Sequence, residues 1–179
     1  GQFISLTDST EFFGTIQPGD SVLIESAFSF EVAADVPDNY AVHLETLTTS
    51  NVDLWEGTIK LKAYAPMVAP GLVVVNDGGN GYLDPGETAQ IEVTIVNNGS
   101  ITANEINIDI STIDPFVTIG NTTAYIDVLD PSTSEEITFD ITVDESAPPG
   151  HIIMITLDIM AADGYATPDG IGLVIGQII

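Results

Sequence analysis

The chain has 179 residues, 44% of them hydrophobic, and no cysteine, so it has material for a core but no means of thiol catalysis, thiolate metal binding or disulfide formation. Twenty-seven acidic residues against two basic ones give a net charge of -25. That balance opposes a sequence-independent grip on nucleic acid and attraction to an anionic membrane, both of which need Lys and Arg against phosphate.

No apolar run is long enough to span a membrane, no basic leader opens the chain, and Gly1 stands where an initiator Met would be, which together suggest a fragment of a longer protein. From Phe3 onward, short alternating or apolar runs are broken by Gly, Pro, Asp and Asn, with no sustained 3.6-residue period. This pattern predicts an all-β chain. The first strands are expected over residues 3–6, 11–16, 21–32, 41–49 and 55–63, with turns at 17–20 and 37–39. Phe28, Phe30 and Val32 alternate with Ser29 and Glu31, which assigns one face to a core. Pro66 and Pro70 then interrupt the pattern, and the stretch around them reads as a connector because proline cannot donate to a central ladder. Beyond it, strands are expected over 72–75, 89–97, 106–110, 117–119, 124–129, 136–143, 152–161 and 171–175. Asn97, Asn98, Gly99 and Ser100 form the turn that closes the second of these.

An internal repeat organises the chain. Residues 3–18 lie over 116–131 without a gap, placing Phe3 on Phe116, Phe12 on Tyr125, Ile16 on Leu129 and Pro18 on Pro131. With a two-residue adjustment, Phe28 falls on Phe139, Val32 on Val143 and Pro37 on Pro148. Residues 71–115 have no N-terminal counterpart. The expected division is therefore a partial immunoglobulin-like repeat over 1–66 holding later strands only, a Pro-rich linker over 67–70, and a complete immunoglobulin-like sandwich over 71–179. The strands missing from the first repeat lie upstream in a longer protein, come from another chain, or are absent with the edge covered by the second domain.

Between the first two strands of the complete repeat runs an acidic, Gly-rich loop from Asn76 to Glu87, in which Asp77, Asn80, Asp84 and Glu87 supply side-chain oxygens. Oxygen-only donors at short irregular spacing, with glycines that let the backbone turn, suit calcium (Ca2+). The spacing is not that of an EF-hand. The plainer reading is a polar turn whose Asp and Asn side chains bond their own backbone. His43 and His151 occupy different positions of the repeat, which argues for strand or turn histidines over a shared ligand pair. Trp55, Tyr64, Tyr82 and Tyr165 could stack on sugars, but their scatter suits packing better. No nucleophile elbow, phosphate loop or dinucleotide fingerprint is present, so no catalytic residue is assigned.

Residues 75–87, followed by Val93, Thr94, Ile95, Val96, Asn97, Asn98 and Gly99, resemble the tandem immunoglobulin-like accessory repeats of gingipain-like cysteine peptidases and related type IX secreted proteins of Bacteroidetes. Asp114 to Ile119, and Phe28 to Val32 with Val36, Pro37, Asp38 and Asn39, resemble later strands of the same repeat. The resemblance implies a non-catalytic module of an extracellular or cell-surface protein that spaces or presents its neighbouring domains. Other readings are an adhesin module that binds polysaccharide or a host or surface protein, and a filament protomer that self-associates by strand exchange. Nucleic-acid binding and membrane insertion are not expected.

Overall fold

The computed structural model describes residues 1–176 and divides the chain into two units, Gly1–Ala63 and the residues from Tyr64 onward. Among the described residues the secondary structure is twelve strands and one short 3-10 turn, as an all-β reading requires. The four strands of the first unit are β1 (Ile4–Asp8), β2 (Ser29–Val32), β3 (Tyr40–Thr49) and β4 (Leu54–Ala63). They form two separate antiparallel pairs, β1 with β2 and β3 with β4. Lys60 and Lys62, the two basic residues, both lie on β4.

The second unit contains β5 (Val68–Asn76), β6 (Thr88–Asn97), β7 (Ala103–Ser111), β8 (Val117–Ile119), β9 (Thr123–Leu129), β10 (Ser134–Val143), β11 (Ile152–Met160) and β12 (Ala166–Val174). These build a sandwich of two four-stranded sheets, in the orders β5-β6-β10-β8 and β12-β11-β7-β9. Alternation sets its core. Ile91, Val93 and Ile95 of β6, Ile106 and Ile108 of β7, Phe139 and Ile141 of β10, and Ile153, Ile155 and Leu157 of β11 all point inward and are buried. Each such side chain contributes about 1.5–3 kcal/mol relative to leaving it in water.

The expected linker is different in the structure. Residues 68–70 belong to β5, where Val68 pairs with Asn97 and Pro70 with Ile95 before the register shifts ahead of Val73. Proline is tolerated because β5 is an edge strand and the ladder is bulged beside it. The unit boundary falls at Ala63, earlier than the prolines had placed it.

The internal repeat is visible in the hydrogen bonding. Ile4 pairs with Val32 and Leu6 with Phe30, as their counterparts Val117 and Ile119 pair with Val143 and Ile141. Ala33 N–H donates to Phe3 O at 2.9 Å, and Asp144 N–H donates to Phe116 O at 2.8 Å. Phe3 meets Tyr40 edge to face at 5.1 Å, and Phe116 meets His151 in the same way at 5.1 Å. Unit 1 is thus built on the pattern of β8, the end of β10, β11 and β12.

One expected strand does not form in unit 1, and another, expected over 21–32, is confined to Ser29–Val32. Residues 11–16 and 21–28 are irregular. Their counterparts show the reason. Residues 11–16 correspond to β9, which pairs only with β7, and residues 21–28 correspond to the start of β10, which pairs there only with β6. Unit 1 has no equivalent of β6 or β7, so those backbone groups have no ladder to join. The matching core positions are correspondingly bare: Phe28 is 44% exposed against 1% for Phe139. Phe139→Ala is therefore expected to cost about 4 kcal/mol of unfolding free energy, and Phe28→Ala less than about 1 kcal/mol, both read from urea midpoints on the full chain.

Candidate functional site

The loop between β5 and β6 turns sharply at Gly78, Gly81 and Gly86, whose φ angles of 74°, 80° and 83° lie in the left-handed region. Those turns fold the backbone around the Asp77 carboxylate. Oδ1 accepts the N–H groups of Gly79 at 2.8 Å and Gly81 at 3.1 Å, and Oδ2 accepts that of Asn80 at 3.0 Å. The Gly79 hydrogen bond, with those of Gly81 and Asn80, lowers the Asp77 pKa against a smaller opposing effect of desolvation. Asn80 Nδ2 donates to Asp84 Oδ2 at 2.8 Å, Tyr82 N–H donates to Asn80 Oδ1 at 2.8 Å, and Asp84 N–H donates to Glu87 Oε2 at 3.0 Å. All four candidate residues are thus joined in one chain of hydrogen bonds.

Its donor chemistry suits a hard cation, since every side-chain ligand would be oxygen. Its geometry is that of a turn closed on itself. Among the described residues no three His, Cys, Asp or Glu side chains converge on a point that could hold a metal ion. The loop also seals the end of the sandwich. Leu83 is buried and bridges to Ile175, Gly176 N–H donates to Leu83 O at 2.6 Å, and Gly86 N–H donates to Val143 O at 3.1 Å.

Two features escaped the sequence reading. The first is Asn97, read there as a turn residue and found wholly buried at the end of β6. Its Oδ1 accepts the N–H groups of Met67 at 3.1 Å and Gly99 at 3.0 Å, and its Nδ2 donates to Ile101 O and Leu129 O, both at 2.9 Å. One amide therefore joins the start of β5, the turn after β6 and the end of β9. Gly99 is required beside it, because a Cβ there would run into Ala65 O and Met67 N and would lie 2.6 Å from Pro66 C.

The second is a clip between the start of β11 and the segment before β8. His151 Nε2 meets Asp114 Oδ2 at 2.6 Å, and Phe116 N–H donates to Asp114 Oδ1 at 2.9 Å. Burial alone would raise the Asp114 pKa, but the bonds from Phe116 and His151 outweigh it and the net direction is downward. The repeat alignment argues for His151 as a strand or turn histidine and does not point to its partner, because Asp114 falls opposite Gly1 and leaves no signal in the first copy. Trp55 lies on β4 and is 53% exposed, so it is not the core residue that the packing reading expected. His43 is exposed on β3, opposite Lys60.

The CARDB family matches residues 69–159, half of the chain and the heart of the sandwich. Similar solved structures include the CARDB domain of a Pyrococcus furiosus protein in complex with di-metal ions, at 14% identity over 62% of this chain and 88% of that one, TM-score 0.38. A FixG-related protein from Vibrio parahaemolyticus is 11% identical over 62% and 97%, TM-score 0.37, and the sporulation control protein Spo0M of Bacillus subtilis is 15% identical over 63% and 50%, TM-score 0.37. No curated protein matches the sequence.

Asn97→Ala leaves buried donors and acceptors without partners and is expected to cost about 3 kcal/mol, measured by urea unfolding. Because its folded pKa is lowered, Asp114 stabilises the fold above its unfolded value of about 3.9, and that contribution disappears as pH falls through the folded value. The stability gap between the parent chain and Asp114→Asn should accordingly be present at neutral pH and close as pH falls through the lowered folded value, as compared in urea midpoints at neutral and strongly acidic pH.

Proposed function

Given that the chain belongs to the CARDB family, we propose that it works as a non-catalytic structural and interaction module, spacing or presenting the domains next to it in an extracellular or cell-surface protein. One observation carries this reading: the acidic loop, the densest cluster of candidate ligands in the sequence, spends its polar groups on its own backbone and on closing the sandwich. A reacting site instead needs groups held ready for a substrate. The His151–Asp114 pair is likewise committed to packing, with Phe116 lying edge to face on the imidazole. CARDB domains are found in extracellular or surface proteins, and no helix among the described residues is long and apolar enough to cross a membrane.

Calcium stabilisation of the loop is a finer part of this proposal, with Asp77, Asn80, Asp84 and Glu87 as the residues that would hold the ion. An all-oxygen donor set and a net charge of -25 support it. The narrower kinship with gingipain-like accessory repeats belongs to the same proposal and rests on residues 75–87 and 93–99. The adhesin reading has one observation in its favour, the exposed Trp55, which offers a face for a sugar ring.

Thermal melts of the full chain in millimolar calcium and in excess chelator test the cation. A bound structural ion at about a hundred times its Kd should raise unfolding free energy by about 2.7 kcal/mol, and replacing both Asp84 and Glu87 with Asn and Gln should abolish that gain. Identical midpoints with and without chelator would remove calcium and leave the self-closed loop as the working element.

A further inference from the structure

Unit 1 carries half of a sandwich and the markings of the other half. In unit 2, β10 is flanked by β8 and β6, and β11 by β12 and β7. In unit 1, β2 has only β1 and β3 has only β4. The vacant edge of β2 is where β6 lies in unit 2, and the vacant edge of β3 is where β7 lies. The β11–β7 register, Thr156 to Met160 against Ser111 to Asn107, translates by the repeat alignment to residues 45–49 of β3. The side chains match as well. Phe28, Phe30 and Val32 stand where Phe139, Ile141 and Val143 are buried, and Ile59 and Leu61, 40% and 41% exposed, stand where Ile171 and Leu173 are 6% and 9% exposed. Residues 11–16 and 21–28 have strand-forming sequences and are irregular for want of those same two neighbours.

We infer that unit 1 is an acceptor for strand addition, and that its occupant is an extended β5-β6-β7-type segment of the same repeat, supplied from outside residues 1–179. The segment would lie antiparallel along β2 and β3, present alternating Ile and Val to the apolar face, and draw 11–16 and 21–28 into the two sheets. A second folded copy of this chain is a poor donor. Its β6 is already paired on both edges by β5 and β10, its β7 by β11 and β9, and their inward side chains form the core, so donation would require it to dismantle its own sandwich. The inference rests on pairing registers and is independent of how the acidic loop is read.

The donor can be built from the chain itself. Because Gly1 aligns with Asp114, a copy of residues 64–113 joined directly before Gly1 of the full chain restores the spacing of a complete repeat. Amides in 11–16, 21–28 and 45–49 should then exchange on the order of 100-fold more slowly than in the parent chain. Emission from Trp55, the sole tryptophan, should shift to the blue, while exchange in the original 64–176 stays unchanged. The same fusion with Ile91→Asp and Val93→Asp in the added copy alone should lose both effects. As an arm that does not depend on folding of the fusion, a peptide of residues 88–111 titrated into the parent chain should give a saturable blue shift, and the doubly substituted peptide none. Fast exchange and unshifted emission in both the fusion and the titration would overturn the inference. So would slow exchange at 11–16 and 21–28 in the unmodified chain, whether as a monomer or as a dimer.

Discussion

A strand survives in water only where a neighbour takes up its N–H and C=O groups, and in this molecule that condition is met or failed through two strands, β6 and β7. In unit 2, β6 holds β5 and most of β10, while β7 holds β9 and the far half of β11. Their alternating isoleucines and valines also fill the space between the sheets. Where both are present the flanking segments become regular. Where neither is present, sequence of similar character stays irregular, and apolar side chains that would have been core lie open to water.

Asn97 adds a different kind of constraint. The isoleucine faces favour burial without fixing which loop meets which strand end, whereas an amide with two donor and two acceptor positions filled accepts one arrangement. The segment around Pro66 is held against the turn after β6 by that amide and by Asn98 N–H to Met67 O and Ser100 N–H to Ala65 O. The close passage is possible because residue 99 has no side chain.

Much of this was legible in the residues. Alternation of Ile91, Val93 and Ile95 located β6 to within a residue, and matching Phe3 with Phe116 and Val32 with Val143 anticipated the shared ladder registers. The acidic loop was located, but not how its carboxylates are used, because Asp and Asn serve backbone turns and cations with the same oxygens. The strand expected over 11–16, and residues 21–28 of the one expected over 21–32, stay irregular for a non-local reason, the absence of partners, which local alternation does not report. Pro66 and Pro70 signalled a break in pairing and correctly excluded a central strand, but an edge strand with a shifted register meets the same condition. Asn97 was hidden in plain turn chemistry, and Asp114 in a position the first copy leaves as Gly1.

The two lysines bear on how anything approaches the molecule. Both project from the same side of β4, two residues apart, and every other formal side-chain charge at neutral pH is negative. The negative charge of the chain is therefore interrupted along one narrow strip of β4. Repulsion of a second acidic body is weakest beside that strip, and the difference is greatest in dilute salt, where the charges are least screened.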